Sequence, residues 1–282
     1  MTPSGQGRPR PAFLRALGSD DPPREIRCDD RPYELERVLK HDSWAASGVY
    51  RAQRGRERLK VKFNRIAPLW GLSMVWLGNQ LARRETWMLQ QLEDLPQTPR
   101  WAGDVYVGNQ RLRHAVAHDW IPGHPLGKDE RVDDAFFPLL FSTIRAIHRR
   151  GIAYVDLHKR ENIIVGTDGR PYLIDFQISQ ALPECWVCHH RLSREGLRIL
   201  QESDLYHLGK HVAHHRPDQL RLYGSDRPWW ITMHRRLAVP LRSLRRHLLV
   251  RLGVRTGDGY ANSEDFPEDA IQHEAGHPRR VI

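Results

Sequence analysis

The chain has 282 residues, enough for one two-lobed domain or two small ones, and its 40% hydrophobic content suffices for a core. Its formal net charge of +10, mostly from arginine, fits an anionic partner (a nucleotide, nucleic acid or an anionic membrane surface) or simply an Arg-rich coding bias. No apolar run approaches the ~18 residues of a transmembrane helix, and the N-terminus lacks a signal-type apolar core. The expectation is therefore a cytoplasmic protein with reduced thiols, possible contact with the inner face of the membrane aside.

Residues 1–24 are rich in Pro, Gly, Arg and Ser and are expected to be disordered. A β-rich region is expected over residues 25–118. Within it, Val49 to Ala52 and Leu59 to Phe63 alternate like two antiparallel strands joined near Gly55. Lys60 and Lys62 then share one strand face, and Val61 and Phe63 the other. Residues 72–92 read as a helix whose apolar positions are Leu77, Leu81, Trp87, Met88, Leu89 and Leu92, with Gly78 weakening its first half. Glu85 falls on or beside that stripe. A half-buried carboxylate is unfavourable by several kcal/mol in order of magnitude unless it is paired. A strand lysine of the same region is one partner; a solvated place at the stripe's edge is the alternative.

Val105 and Val107, then Leu112 and Val116, read as a further strand pair around Gly108-Asn109, and residues 119–123 as a connector. A second region, 119–252, opens with a helix over 134–150 whose apolar face carries Phe137, Leu140, Ile144 and Ile147. Next comes the most informative stretch. Ile163, Ile164 and Val165, the turn Thr167-Asp168-Gly169-Arg170, and Tyr172, Leu173 and Ile174 form a hairpin. Asp156 precedes its first strand and Asp175 follows its second, so both lie at the same end, with Asn162 beside them. Two acids and an amide there suit a Mg²⁺ ion and a hydroxyl, as phosphoryl transfer requires.

These parts together resemble the protein-kinase-like fold over about residues 35–215, and in particular its small bacterial members, such as the lipopolysaccharide-core kinases and RIO-like kinases. The resemblance implies an α+β, two-lobed protein: a small β-rich N-lobe followed by a reduced helical C-lobe. It implies ATP and Mg²⁺ as cofactors and a hydroxyl acceptor, either protein Ser/Thr or a sugar or glycolipid. Lys62 matches the family's strand lysine and Glu85 its helix glutamate. Asp156 matches the catalytic-loop aspartate, Asn162 the loop asparagine, and Asp175 the metal-binding aspartate. Adenine would sit against residues 118–121, including Asp119 and Ile121, and Gly48 is the one well-placed glycine of a degenerate phosphate loop, residues 43–48. Several positions depart from the pattern. Tyr154-Val155 replaces His-Arg, Gln177 replaces the glycine of Asp-Phe-Gly, and the spacing from Asp156 to Asn162 is one residue longer, with His158 as a fallback ligand.

The implied roles are Lys62, oriented by Glu85, on the α/β-phosphates; Asp175 and Asn162 on Mg²⁺; and Asp156 on the acceptor hydroxyl. Asp204 either braces the catalytic loop or caps a helix. The degenerate loop also fits an ATP-binding scaffold without turnover. A nucleic-acid-binding role is disfavoured because the aromatics do not interleave with the basic residues. Cys185 and Cys188 are read as loop thiols, with a redox or metal role as the alternative. Residues 228–252 carry leucines at helical spacing among arginines, which fits either a packed last helix or one lying on an anionic membrane. The acidic segment 253–282 is expected to be a flexible tail.

Overall fold

The computed structural model describes residues 12–69, 71–181 and 191–223. The expected loop cysteines Cys185 and Cys188, the basic helix 228–252 and the acidic tail lie outside these residues. The chain is mixed α+β and divides into two compact units, Met1–Ile121 and Pro122–Ile282, slightly later than the expected division after residue 118. Among the described residues no helix is long and apolar enough to cross a membrane.

The first unit is a curled antiparallel sheet with one helix. Its strands are β1 (Glu25–Cys28), β2 (Arg31–His41), β3 (Ala45–Ala52), β4 (Arg58–Asn64), β5 (Trp101–Gly103), β6 (Val105–Val107), β7 (Gln110–Arg111) and β8 (Ala115–Asp119). They are ordered β5-β8-β4-β3-β2-β1-β6-β7. The β3–β4 pair is the one read from alternation, with Gly48 opposite Val61 and Ser47 opposite Lys62. Ile26, Tyr33, Tyr50, Leu59, Val61 and Phe63 form its core. The turn at Gly108-Asn109 pairs β6 with the two-residue β7, after which the chain runs on to β8 beside β4.

The helix α1 spans Val75–Gln91. Leu72, expected inside it, instead forms a bridge with Leu69. The buried stripe consists of Gly78, Ala82, Glu85, Met88 and Leu89. Trp87 was expected on that stripe but is 39% exposed, because two residues along a helix turn it about 200° away from Glu85. Gly78 also has a packing reason, since a Cβ there would stand 2.4 Å from the Arg65 carbonyl oxygen.

Residues 12–24 correct the expectation of disorder. Ala16 is fully buried; its N–H donates to the Asp42 carbonyl and its carbonyl accepts the N–H groups of Ile66 and Ala67. The guanidinium of Arg65, 2% exposed, donates to the carbonyls of Phe13, Ser43, Ala67 and Pro68. The segment thus supplies one of the four carbonyls that satisfy this buried cation.

The second unit contains β9 (Gly123–Pro125), α2 (Phe136–Arg149), β10 (Ile152–Ala153), β11 (Ile163–Gly166), β12 (Pro171–Leu173), β13 (Gln180–Ala181) and α3 (Arg191–His215). Phe137, Leu140, Ile144 and Ile147 of α2 are fully buried, as the 3.6-residue period requires. The hairpin β11–β12 forms in the register Ile163 to Leu173 and Val165 to Pro171. Its turn is closed by the Gly169 N–H on the Gly166 carbonyl, with Gly169 at φ 75°, a conformation that glycine adopts without penalty. β9 adds to the other edge of β11.

Candidate active site

In the first unit, Lys62 lies at the middle of β4 and Glu85 on the buried face of α1. Lys62 Nζ stands 3.1 Å from Glu85 Oε2 and 3.4 Å from Oε1. The two residues are 5% and 2% exposed. Strand alternation turns Lys62 away from the Val61–Phe63 face, and the helix period brings Glu85 round to meet it. Of the two readings of Glu85, the paired and buried one holds.

Gly48 sits inside β3, and a side chain there would meet Leu35 Cδ1 at 2.7 Å and the Tyr50 ring at 3.3 Å. Its missing side chain is thus filled by the core. At the tip of the β2–β3 hairpin, Asp42 Oδ1 accepts the N–H groups of Trp44 and Ala45, each at 2.8 Å. Those amides are committed within the turn and do not form an open phosphate cradle. Asp119 ends β8 opposite Leu59, its N–H donating to Arg100 and that of Trp120 to Arg58. Ile121 is the last residue of this unit.

In the second unit, Asp156 and Asn162 come together. Asn162 Nδ2 donates to Asp156 Oδ2 at 2.8 Å, and Lys159 Nζ donates to the same oxygen at 2.8 Å. Asp156 is 2% exposed. The extra residue in the spacing is absorbed by tight turns: the Lys159 N–H bonds to the Asp156 carbonyl, and a 3-10 turn over Arg160–Asn162 follows. His158 Nδ1 lies 3.5 Å from Asp156 Oδ1. Asp175 follows β12 at φ 62°, a left-handed conformation that aspartate tolerates better than most residues. The left-handed residue here is Asp175 and not Gln177, so the missing glycine imposes no strain at 177.

The loop is braced from behind. Asp204 is fully buried. Its Oδ2 accepts the Tyr154 N–H at 2.8 Å, and its Oδ1 accepts the Val155 N–H at 2.7 Å. His148 Nε2 lies 3.0 Å from Oδ2. Asp204 lies in mid-helix in α3, so the bracing alternative holds and the cap does not. The brace fixes Val155 at φ 72°, which is unusual for a β-branched residue. Tyr154 links the loop to the end of the hairpin: its hydroxyl donates to the Ile174 carbonyl, and its ring meets Phe176 edge-on at 5.2 Å.

Sequence reasoning missed Lys159 and His148, and read Tyr154 only as a departure from the family pattern. Only Lys159 carries a local signal, as a lysine three residues after the aspartate. Cys28 is buried in the first unit, where loss of hydration pushes its thiol up to about 12 and makes it an inert packing group.

Among the described residues no three His, Cys, Asp or Glu side chains converge to hold a metal by themselves. The donor set still suits Mg²⁺, which takes hard oxygen ligands, commonly one or two carboxylates completed by phosphate oxygens. Asp175 offers such a carboxylate. Asn162, whose NH₂ is engaged by Asp156, keeps its carbonyl oxygen for that purpose. No family model matches the chain, and no curated protein matches it.

Proposed function

We propose that this protein is an ATP- and Mg²⁺-dependent phosphotransferase that phosphorylates a hydroxyl acceptor. The observation that carries the reading is the buried Lys62–Glu85 pair. Burying two charges is unfavourable by several kcal/mol per ion before their attraction is counted, and a fold of this size does not need them. A fixed ammonium in a strand suits the phosphates of a nucleotide.

In this reading Lys62, oriented by Glu85, binds the α/β-phosphates. Asp175 and the carbonyl oxygen of Asn162 hold Mg²⁺, which when bound neutralises phosphate charge. Asp156 accepts a hydrogen bond from the acceptor hydroxyl and orients its oxygen for attack. Asn162 and Lys159 hold the Asp156 carboxylate in place. Asp204 fixes the backbone that carries it. The acceptor class remains a protein hydroxyl or a sugar or glycolipid, and peripheral contact with an anionic membrane belongs to the same proposal.

A second reading, an ATP-binding scaffold, draws on one observation: the amides of Trp44 and Ala45 are spent on Asp42. The discriminating experiment is Mg²⁺-dependent ATP turnover and autophosphorylation of wild type, Asp156→Ala and Asp175→Ala, with nucleotide thermal shifts on the same samples. Turnover lost in both variants supports the phosphotransferase. Mg-ATP stabilisation with no turnover in wild type supports the scaffold. Neither binding nor turnover would overturn both.

A further inference from the structure

The second unit carries a groove of about 450 Å³ whose wall joins the Asp156 loop to α3. His158 and Arg160 come from the loop; His207, Lys210, His211 and His215 come from the helix. Positions 207, 211 and 215 recur every four residues and so lie along one helix stripe. No carboxylate is among the lining residues.

Two fixed cations, Arg160 and Lys210, face this groove, and neither makes an ion pair with any described residue. Burial, reinforced by neighbouring positive groups, pushes His207 and His211 down to about 4, so both are neutral near pH 7. The carboxylates nearest the groove stand against its histidines, Asp156 by His158 and Asp129 by His214, so Arg160 and Lys210 present their charge to the groove and an anion is their chemical complement. His215 narrows the choice. It is 8% exposed, its Nδ1 is 3.0 Å from the Glu130 carbonyl, and its Nε2 is buried with no partner. With Nδ1 donating, Nε2 is a lone-pair acceptor in need of an N–H or O–H. A phosphomonoester offers anionic oxygens for the cations, and its monoanion, about a tenth of the free form at pH 7 because the second ionisation lies near pH 6, carries the P–OH that this nitrogen would select. A carboxylate offers no O–H.

The groove reaches the proposed reaction centre, since His158 belongs to its wall and lies 3.5 Å from Asp156 Oδ1. We propose that this groove anchors a phosphomonoester group carried by the acceptor, and so selects acceptors that are already phosphorylated. This rests on the reading of Asp156 as the group that receives the acceptor hydroxyl. Arg160 and Lys210 are specificity-determining residues in this proposal; they do not take part in the transfer itself.

The test is calorimetric titration of the full chain, without nucleotide, with glycerol 3-phosphate, inorganic phosphate and glycerol in parallel. Side-chain imidazole resonances are followed by NMR. Glycerol 3-phosphate should bind saturably and shift the His211 and His215 signals, with weaker binding of inorganic phosphate and none of glycerol. Arg160→Gln/Lys210→Gln should weaken binding at least about tenfold, the removal of one or two charge-assisted contacts. Lys210→Gln alone, at an exposed helix position, should weaken it several-fold. Arg145→Gln, exposed on α2 outside the groove, should leave it unchanged. No saturable binding, or equal binding by wild type and the double variant, overturns the site. Equal affinity for inorganic phosphate and glycerol 3-phosphate overturns the acceptor assignment. No ATP is present, so failure here is separate from failure of turnover.

Discussion

Asp204 Oδ1 accepts the Val155 backbone N–H at 2.7 Å, while Oδ2 accepts that of Tyr154 at 2.8 Å. One buried carboxylate thus satisfies two successive amides and holds a β-branched residue in a left-handed conformation, one position before Asp156. The energy of the brace is spent on local geometry, which is where strain concentrates at functional sites. Asp204→Ala takes the acceptor from the Tyr154 and Val155 N–H groups and from His148 Nε2, at about 1–3 kcal/mol for each donor left buried and unsatisfied. Urea unfolding should show a loss of about 2–5 kcal/mol, with a smaller loss for Asp204→Asn, which keeps one acceptor. A stability for Asp204→Ala within about 0.5 kcal/mol of wild type would contradict the brace.

The Lys62–Glu85 pair predicts strong non-additivity. Glu85→Gln leaves an ammonium buried, and Lys62→Met leaves a carboxylate buried; each should lose about 3–5 kcal/mol. The double variant Lys62→Met/Glu85→Leu buries neither charge and should recover most of that loss. It should at the same time lose stabilisation by Mg-ATP. Chemical denaturation with and without nucleotide measures both effects. Additive destabilisation would show that the two side chains are not energetically coupled.

Legibility in the sequence followed the range of the interaction. The β3–β4 pairing and the β11–β12 hairpin were readable because alternation and turn residues are local signals, and so was the apolar face of α2. The placing of Glu85 on a buried stripe could be posed from its spacing, but pairing with Lys62 needed the sheet. Residues 12–24 were unreadable because Ala16 and Phe13 act through their backbone carbonyls, on Ile66, Ala67 and Arg65. A carbonyl acceptor leaves no trace in side-chain identity. Gly48 shows a second reason for a glycine. A glycine at the end of residues 43–48 suggests close approach to phosphate, and in the fold Leu35 and Tyr50 also occupy its side-chain space. Asp204 could not be resolved between cap and brace because nothing local marks where α3 begins.

His211 makes stability depend on pH. Burial lowers its imidazole to about 4 from the ordinary 6.5 while its Nε2 bonds to the Leu157 carbonyl. Between those values the unfolded chain holds a proton that the folded chain does not, so stability is complete above about pH 6.5 and falls as pH drops toward 4. From pH 7 to pH 5 one such group accounts for about 2 kcal/mol. Urea unfolding of wild type should therefore lose about that much more than His211→Gln over the same interval. The glutamine keeps an N–H for Leu157 and cannot titrate. Parallel losses in the two proteins would place the titration elsewhere.

Gly78 sets helix propensity against packing. Judged as a helix residue, Gly78→Ala should stabilise α1 by about 1 kcal/mol. Its position reverses the sign. An added methyl would stand 2.4 Å from the Arg65 carbonyl oxygen and 3.2 Å from the carbonyl carbon, both backbone atoms that no rotamer change can move. Arg65 is held in turn by four carbonyls, so the helix must shift instead, and overpacking of this kind costs about 1–3 kcal/mol. The net expectation is a destabilised protein, read as a lower denaturation midpoint at unchanged slope. Because the same helix carries Glu85, the shift should also lengthen its contact with Lys62 and weaken Mg-ATP binding in proportion. A stabilised Gly78→Ala variant would mean that α1 does not lie against the end of β4.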